Sequence, residues 1–187
     1  MHHGGSGGCG GGTAELAFQS IIDQGGIASE WTYPYLSYQG NDSSCQFSPT
    51  KTPPAAKLQS FVALPTNEEQ PLLEAVATHG PIAISVDAST WHDYETGIFN
   101  GCNQTNPDID HAVQLVGYGP GYWLVRNSWA PTWGENGYIR LLRSASSSKS
   151  CGTDLTPQDG TACDGSPASV TVCGTCGMLY DNAYPIV

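Results

Sequence analysis

The sequence predicts an α+β fold in one domain of 187 residues, because helical patterns come first and strand patterns follow. Apolar residues recur at helical spacing over residues 14–22, between a potential cap at Thr13 and a helix-ending pair, Gly25 and Gly26. A second helical face follows Thr66–Glu69, which has the spacing of a capping box.

Strand patterns dominate the chain after the second helix. Ile82–Val86 reads as a buried strand, His111–Tyr118 and Tyr122–Arg126 as two strands joined by a short Gly/Pro turn, and Tyr138–Leu142 as a further strand. Residues 144–175 are rich in Ser, Gly and Cys with little periodicity, so we predict a long loop held by disulfides. The chain contains no internal repeat.

The charge balance limits the classes of partner. The chain has 6 Lys and Arg against 17 Asp and Glu, a formal net charge of −11. The few cations are not clustered, which argues against nucleic acid or an anionic membrane as a partner. No apolar run approaches the roughly 18 residues of a membrane span. The acidity indicates solubility in an acidic compartment, with attraction of basic substrates as the alternative.

The cysteine content indicates an oxidising compartment. Seven cysteines are an odd number, and a reducing cytosol gives little use for so many. Glycosylation sequons at Asn41 and Asn103 agree with this, although such short patterns often arise by chance. We expect a lysosomal, vacuolar or secreted protein, and the start of this chain shows no apolar export segment.

A histidine and an asparagine meet in the predicted hairpin. If the hairpin is symmetric about Gly119, His111 lies opposite Asn127, with Cβ atoms about 5 Å apart. An Asn oxygen can hold one ring nitrogen and leave the other to act on a nucleophile, and Trp129 could shield that bond from water. On spacing alone, a surface His and Asn at a hairpin mouth is the simpler alternative.

Longer motifs around these residues favour the catalytic interpretation. The chain is similar to papain-like cysteine peptidases over nearly its whole length, outside the Cys-rich insertion of residues 144–175. The matching segments are Asp110–Gly119, Tyr122–Trp129, Trp133–Arg140, the Gly-rich turn Gly8–Gly12, Tyr33–Tyr35 and Cys176–Pro185. The resemblance implies a papain-like two-lobed fold over residues 1–187, with the right-hand β-barrel-like lobe present and the left-hand helical lobe incomplete.

The resemblance implies a role for each matched residue. His111 would be the general base and acid, Asn127 would orient it, and Trp129 would cover the His–Asn bond. Gly11 and Gly12 would form an open edge that pairs with an extended substrate backbone, because glycine lets another backbone come close. The partner would be a peptide or protein substrate, and we expect no metal or cofactor.

The cysteine nucleophile of such enzymes has no counterpart in this sequence. The family nucleophile lies in a C-G-[SA]-C-[WY] context about 130–150 residues before the histidine, whereas Cys9 precedes His111 by 102 residues and matches a structural cysteine. The glutamine of the oxyanion hole has no match either.

Several explanations of the absent nucleophile stay open. The chain is a fragment of a cysteine peptidase, one chain of a two-chain enzyme, or an inactive homologue that acts as a binding protein. We expect this chain alone to be inactive, and endo- or exopeptidase action stays open. A disulfide-rich secreted interaction module without catalytic ancestry is the remaining alternative.

The resemblance also implies disulfides. Cys102 would pair with Cys176 or with Cys173, and two further cysteines, Cys9 and Cys45, would pair with cysteines outside this chain. The sequence does not decide the connectivity of the odd remaining set, which is Cys151, Cys163 and one of Cys173 and Cys176.

Substrate preference in the family depends on the pocket for the second residue before the scissile bond. The residues that would line this pocket are Thr13, Ala14, Ser85, Ile109 and Asp181. Asp181 at the floor would favour Arg or Lys, with an exposed carboxylate near the C-terminus as the alternative. Asp110 would tune the imidazolium of His111, or be a solvated loop carboxylate.

Overall fold

The computed structural model describes Cys9 and residues 11–144, 149–158 and 167–187. Within these ranges the chain forms two α-helices and nine strands. Their bounds are α1 Ala14–Asp23, β1 Ser60–Ala63, α2 Glu69–Thr78, β2 Ile82–Val86, β3 Ile98–Phe99, β4 His111–Gly119, β5 Tyr122–Arg126, β6 Tyr138–Leu142, β7 Cys151–Asp154, β8 Val170–Cys173 and β9 Asn182–Ile186.

One large sheet dominates the molecule. Its seven strands lie in the order β1-β9-β2-β4-β5-β6-β3, and all neighbours are antiparallel except β3 and β6. The core between this sheet and α2 is aliphatic and aromatic, and its fully buried members include Leu72, Ile82, Trp91, Leu115, Ile139 and Leu141. The α+β prediction is confirmed, as are the bounds of β2, β5 and β6.

The two helices begin differently from the sequence prediction. Thr13 precedes α1 as expected, but its side chain makes no capping hydrogen bond. The capping-box prediction for α2 is wrong, because the helix begins at Glu69 and the residue before it, Glu68, makes no side-chain capping hydrogen bond. The neighbouring Asn67 binds strand β8 instead. Asn67 has a positive φ of 63°, its Nδ2 donates to the carbonyl of Thr171 at 2.8 Å, and its Oδ1 accepts from the N–H of Cys173 at 2.8 Å.

The Cys-rich segment is more regular than its composition indicates. Residues 144–175 were predicted as a loop, yet β7 and β8 pair as antiparallel strands between Cys151 and Cys173. β7 (Cys-Gly-Thr-Asp) has no apolar alternation, and β8 (Val-Thr-Val-Cys) alternates over only four residues, too few to stand out in a Ser- and Gly-rich segment. Residues 145–148 and 159–166 lie outside the described residues.

Candidate active site

The histidine and the asparagine are brought together at the end of the central strands. His111 is the first residue of β4, and Asn127 follows the last residue of β5. The Nε2 atom of His111 lies 2.9 Å from Oδ1 of Asn127, which also accepts the N–H of Ser128 at 2.7 Å. Because Oδ1 is an acceptor, we assign the proton to Nε2, and Nδ1 is the nitrogen left to exchange a proton.

The predicted register that led to this pair is wrong. Gly119 pairs with Tyr122 across a two-residue turn, and a bulge between Leu115 and Gly117 shifts the ladder. The strands therefore do not place the two residues directly opposite one another. The side chains still meet, because both lie at the open end of the hairpin, where a long imidazole and an amide bridge the offset.

Aromatic rings enclose the pair on one side. The ring of Trp129 lies 5.2 Å from the ring of His111, and Trp133 packs edge-on against Trp129 at 5.3 Å. The fully buried Trp91 presents its edge to His111 at 6.3 Å. Indole surface in place of water lowers the local dielectric and strengthens the His–Asn hydrogen bond.

The loop that carries Trp129 is tied back to the sheet. Asn127 donates its N–H to the carbonyl of Gly137 at 2.9 Å, and Gly137 donates to the carbonyl of Trp133 at 2.7 Å. Gly134 has a φ of 52°, and a side chain there would meet the carbonyl of Tyr138 at 2.7 Å, so only glycine fits this turn. The loop thereby holds Trp129 beside Asn127.

An ion pair between Arg140 and Glu135 joins the same loop to strand β6. Arg140 donates to both carboxylate oxygens of Glu135, at 2.8 and 2.6 Å. Thr96 and Gly97 donate to Glu135 as well, at 2.8 and 2.9 Å. The hydrogen bond from Arg140 is the main reason that the pKa of Glu135 falls to about 2.

A second polar cluster joins β2, α1 and the residue before β9. Ser85 in β2 donates its hydroxyl to Oδ2 of Asp181 at 2.7 Å and its N–H to the Asp181 carbonyl at 3.0 Å. Glu15, in the first turn of α1, lies against Asp181. Burial, followed by the charge of Asp181, raises the pKa of Glu15 to about 7. Glu15 therefore keeps its proton up to near neutral pH.

The remaining residues predicted for the substrate pocket divide into exposed and packed ones. Gly11 and Gly12 are exposed before α1, and Gly11 has a positive φ of 95°. Ile109 is only 8% exposed, and its N–H donates to Oδ2 of Asp154 at 3.2 Å. One carboxylate oxygen of Asp110 accepts the N–H of Ala88 at 3.0 Å, so this side chain ties two loops together. Thr13 and Ala14 are half-buried where α1 begins.

Two functional features gave no signal in the sequence. Glu15 stands 166 positions before Asp181, and no local pattern reports such a pairing. The second is the contact of Trp91 with His111, since Trp91 follows β2 and only Trp129 was expected over the His–Asn bond. Two distant acidic residues and a single distant tryptophan have no period from which a shared location could be read.

The cysteines that the structure describes do not reach His111. Cys102 is bonded to Cys176, one of the two partners that the resemblance left open, and Cys151 is bonded to Cys173. The free thiols of the described chain are those of Cys9 and Cys45, both exposed. Cys163 lies outside the described residues.

The surroundings of Cys9 oppose its activation. Asp42 accepts the N–H of Cys9 and, through hydrogen bonding, raises the pKa of its thiol. A catalytic cysteine requires the opposite shift, because the thiolate is the nucleophile.

Two further classes of site receive no support within the described ranges. No group of three metal-ligating side chains occurs there. None of the helices described is both long and apolar enough to span a membrane.

The fold and the site resemble those of known proteins. A family model described as papain family cysteine protease matches residues 2–158. The bromelain protease of Ananas comosus, solved in complex with the E64 inhibitor, superposes with a TM-score of 0.73 at 32% identity over 95% of this chain and 70% of that chain. The digestive procathepsin L2 proteinase of Tenebrio molitor gives a TM-score of 0.72 at 31% identity, over 96% of this chain and 49% of that one.

Curated relatives agree with the solved structures. Cathepsin L of Sarcophaga peregrina is 42% identical over 147 residues, which is 75% of this chain and 42% of that protein. Vignain of Ricinus communis is 40% identical over 186 residues, 96% of this chain and 43% of that protein. The chain therefore spans about two fifths of the length of these relatives.

A large, mainly antiparallel sheet with few helices, matched to these solved structures along nearly all of the chain, defines the class as papain-like. The chain belongs to the papain family of cysteine proteases.

Proposed function

We propose that this chain carries the histidine–asparagine half of a cysteine peptidase that hydrolyses peptide bonds. The observation that carries the proposal is the 2.9 Å bond between His111 and Asn127 beneath Trp129. This arrangement leaves one ring nitrogen of His111 able to accept a thiol proton while the other stays fixed.

The reaction follows from that geometry. His111 takes the proton of the cysteine thiol through Nδ1, and the thiolate attacks the peptide carbonyl carbon. The tetrahedral intermediate expels the amine, which receives its proton from His111, and a thioester remains on the enzyme. His111 then takes a proton from water, hydroxide attacks the thioester, and the carboxylic acid leaves as the thiol is re-formed.

We infer that the nucleophile and the oxyanion-hole glutamine lie on a polypeptide segment outside these 187 residues. Both free cysteines of the described chain lie away from His111, since Cys9 contacts Asp42 and Cys45 contacts Gln24. The apolar face of α1 contains no fully buried residue, so part of that face is available to pack against a further polypeptide segment. The bromelain chain extends well beyond the matched part.

An epoxide inhibitor of the E64 type tests this proposal. We expect no labelling of the recombinant 187-residue chain, and stoichiometric labelling at one cysteine when the full gene product is used. His111→Ala in the full product should abolish labelling, whereas His79→Ala, at the far end of α2, should not. Stoichiometric labelling of Cys9 in the short chain would overturn the assignment.

The second candidate function is an inactive homologue that binds peptides. The observation in its favour is that the described residues retain the His111 site without a reactive cysteine beside it. The coding DNA upstream of Met1 separates the two candidates. An open frame encoding a Q-x5-C-G-x-C-W-like stretch supports the peptidase, and its absence supports the binding protein or a separate chain.

We propose that Asp181 forms the floor of the pocket for the second substrate residue before the scissile bond. The 2.7 Å bond from Ser85 orients its carboxylate, and the carboxyl of Glu15 lies beside it. A carboxylate held in place at the floor of the pocket favours Arg or Lys in the substrate, because a charge-assisted hydrogen bond contributes about 1.5–3 kcal/mol.

The preference is measured as the ratio of kcat/KM for Arg over Phe at that substrate position, in the full gene product. Asp181→Ala should lower the ratio by about tenfold or more. Asp23→Ala removes the same charge at the exposed end of α1 and should leave the ratio unchanged. An unchanged ratio in Asp181→Ala would show that this carboxylate does not select the substrate.

We propose that the protein is lysosomal, vacuolar or secreted and carries an N-glycan at Asn103. Two disulfides support an oxidising compartment. Asn103 is exposed, and within the described part of the chain its Oδ1 accepts the N–H groups of Thr105 and Asn106 while its Nδ2 makes no hydrogen bond. Expression through a eukaryotic secretory pathway should give an endoglycosidase-sensitive band that Asn103→Gln abolishes. A band unaffected by that substitution would exclude Asn103 as the acceptor.

A further inference from the structure

A second histidine, His92, contacts Trp129, the ring that covers the bond between His111 and Asn127. His92 lies one residue after the fully buried Trp91, and its own side chain is exposed. Its ring is parallel to that of Trp129, at 5.0 Å between centroids and 7° between planes. His92 makes no hydrogen bond within the described part of the chain, so this stack is its principal contact.

The same indole therefore contacts two imidazoles. Trp129 lies 5.0 Å from His92 and 5.2 Å from His111, and it is only partly buried. Trp129 belongs to a loop rather than to a strand, and the next residue, Ala130, has a φ of 77°. The hydrogen bonds of the loop hold its backbone beside Asn127, and the orientation of the indole itself depends in addition on the rings packed around it.

The surrounding rings do not all restrain the indole in the same way. Trp133 and Trp91 meet Trp129 nearly edge-on, with interplanar angles of 78° and 69°. Only His92 lies flat against it among the ring contacts described. The flat stack with His92 covers a face of the indole, whereas the two tryptophans meet it nearly edge-on.

We propose that His92 is a positioning residue, whose stacked ring holds Trp129 over the hydrogen bond between His111 and Asn127 and keeps water away from that bond. The proposal goes beyond the proposed function, since it concerns the cover of the pair and requires no nucleophile. Because water is kept away from the hydrogen bond, the proton on Nε2 of His111 should exchange slowly with solvent.

The test measures this exchange rate by NMR in the 187-residue chain labelled with ¹⁵N-histidine. His92→Ala removes the stacked ring, and we expect the Nε2 proton of His111 to exchange about fivefold to tenfold faster, in line with the strength of aromatic pairs. His92→Phe keeps a flat ring without the imidazole, and its exchange rate should stay within about twofold of the native rate.

A matched control is available at the other end of the molecule. His79 stacks on Tyr184 at 4.6 Å and 17°, so His79→Ala removes an equivalent ring far from the pair. It should leave the exchange rate of the His111 proton unchanged. Near-ultraviolet circular dichroism checks that each variant is folded, and His92→Leu replaces the Ala variant if that one does not fold.

Two results would overturn the proposal. One is an unchanged exchange rate in the variants of His92 that lack a ring. The other is an equal acceleration in His92→Phe, which would show that the ring is not what holds the indole. Both results are measured without substrate. A negative peptidase assay therefore does not affect this inference, and a negative exchange test does not affect the proposal that the chain belongs to a peptidase.

Discussion

The two helices of this chain have the same length and very different surroundings. Each has ten residues, but α2 buries Leu72, Ala75 and Val76 fully, whereas α1 buries none of its residues fully. α2 lies over the middle of the sheet against β4, and α1 lies at its edge against β1 and β9. An amphipathic pattern shows which face of a helix is apolar, but the tertiary structure decides whether a surface exists to cover that face.

The same contrast separates the two sides of the candidate site. His111 and Asn127 rest on central strands and are enclosed by tryptophans that the described chain itself supplies. Gly11, Gly12 and Glu15 rest on the partly covered α1 side. The chain therefore contains a histidine–asparagine pair enclosed by aromatic rings, next to a helix that is only partly covered.

The largest expected effect is on the free energy of unfolding, when a leucine is replaced by alanine in each of the two helices. Leu72→Ala should lower the free energy of unfolding by about 2–5 kcal/mol, because it opens a cavity in a fully buried region. Leu16→Ala in α1 should lower it by less than about 1 kcal/mol, because that side chain is only half-buried. Urea unfolding of both variants measures the difference, and equal losses would show that α1 is as well packed as α2.

The carboxyl pair between α1 and β9 predicts a pH-dependent effect of intermediate size. The pKa of Glu15 is about 7, so between pH 4.5 and 7 the folded state holds a proton that the unfolded chain releases, and stability falls as pH rises. Glu15→Gln removes this penalty. It should stabilise the protein by about 1–2 kcal/mol at pH 8, a figure reduced for solvent screening, and have little effect at pH 4.

Thermal unfolding of the Glu15→Gln variant across pH 4–8 measures that effect. Asp23→Asn, at the exposed end of the same helix, is the control and should show no such pH dependence. A gain for Glu15→Gln that is equal at both ends of the range would contradict the raised pKa of Glu15 in the folded state.

The smallest expected effect has the opposite sign and lies on the other side of the sheet. The pKa of Glu135 is about 2, because Arg140 donates to its carboxylate, so its contribution is present above pH 4.5 and disappears as the pH falls towards 2. Glu135→Gln should lower stability by about 1 kcal/mol at pH 7, since both side chains are partly exposed, and by almost nothing near pH 2. Chemical denaturation at the two pH values measures this difference, and a loss of equal size at pH 2 would contradict it.

Local patterns in the sequence determined much of the fold. The alternation in Ile82–Val86 and the helical spacing after Thr13 are properties of neighbouring residues, and the structure confirms both elements. The long motifs around His111 and Asn127 were sufficient to identify the family. These features are readable because the periods of helix and strand are short compared with the elements themselves.

The tertiary structure decided the features that depend on contacts between distant residues. It replaced the symmetric hairpin by a bulged one, began α2 without the predicted capping box, bonded Asn67 to β8, and set Glu15 against Asp181. It also stacked His92 on Trp129. Such contacts join residues tens of positions apart, and their free energy depends on burial and geometry that arise only when the sheet is assembled.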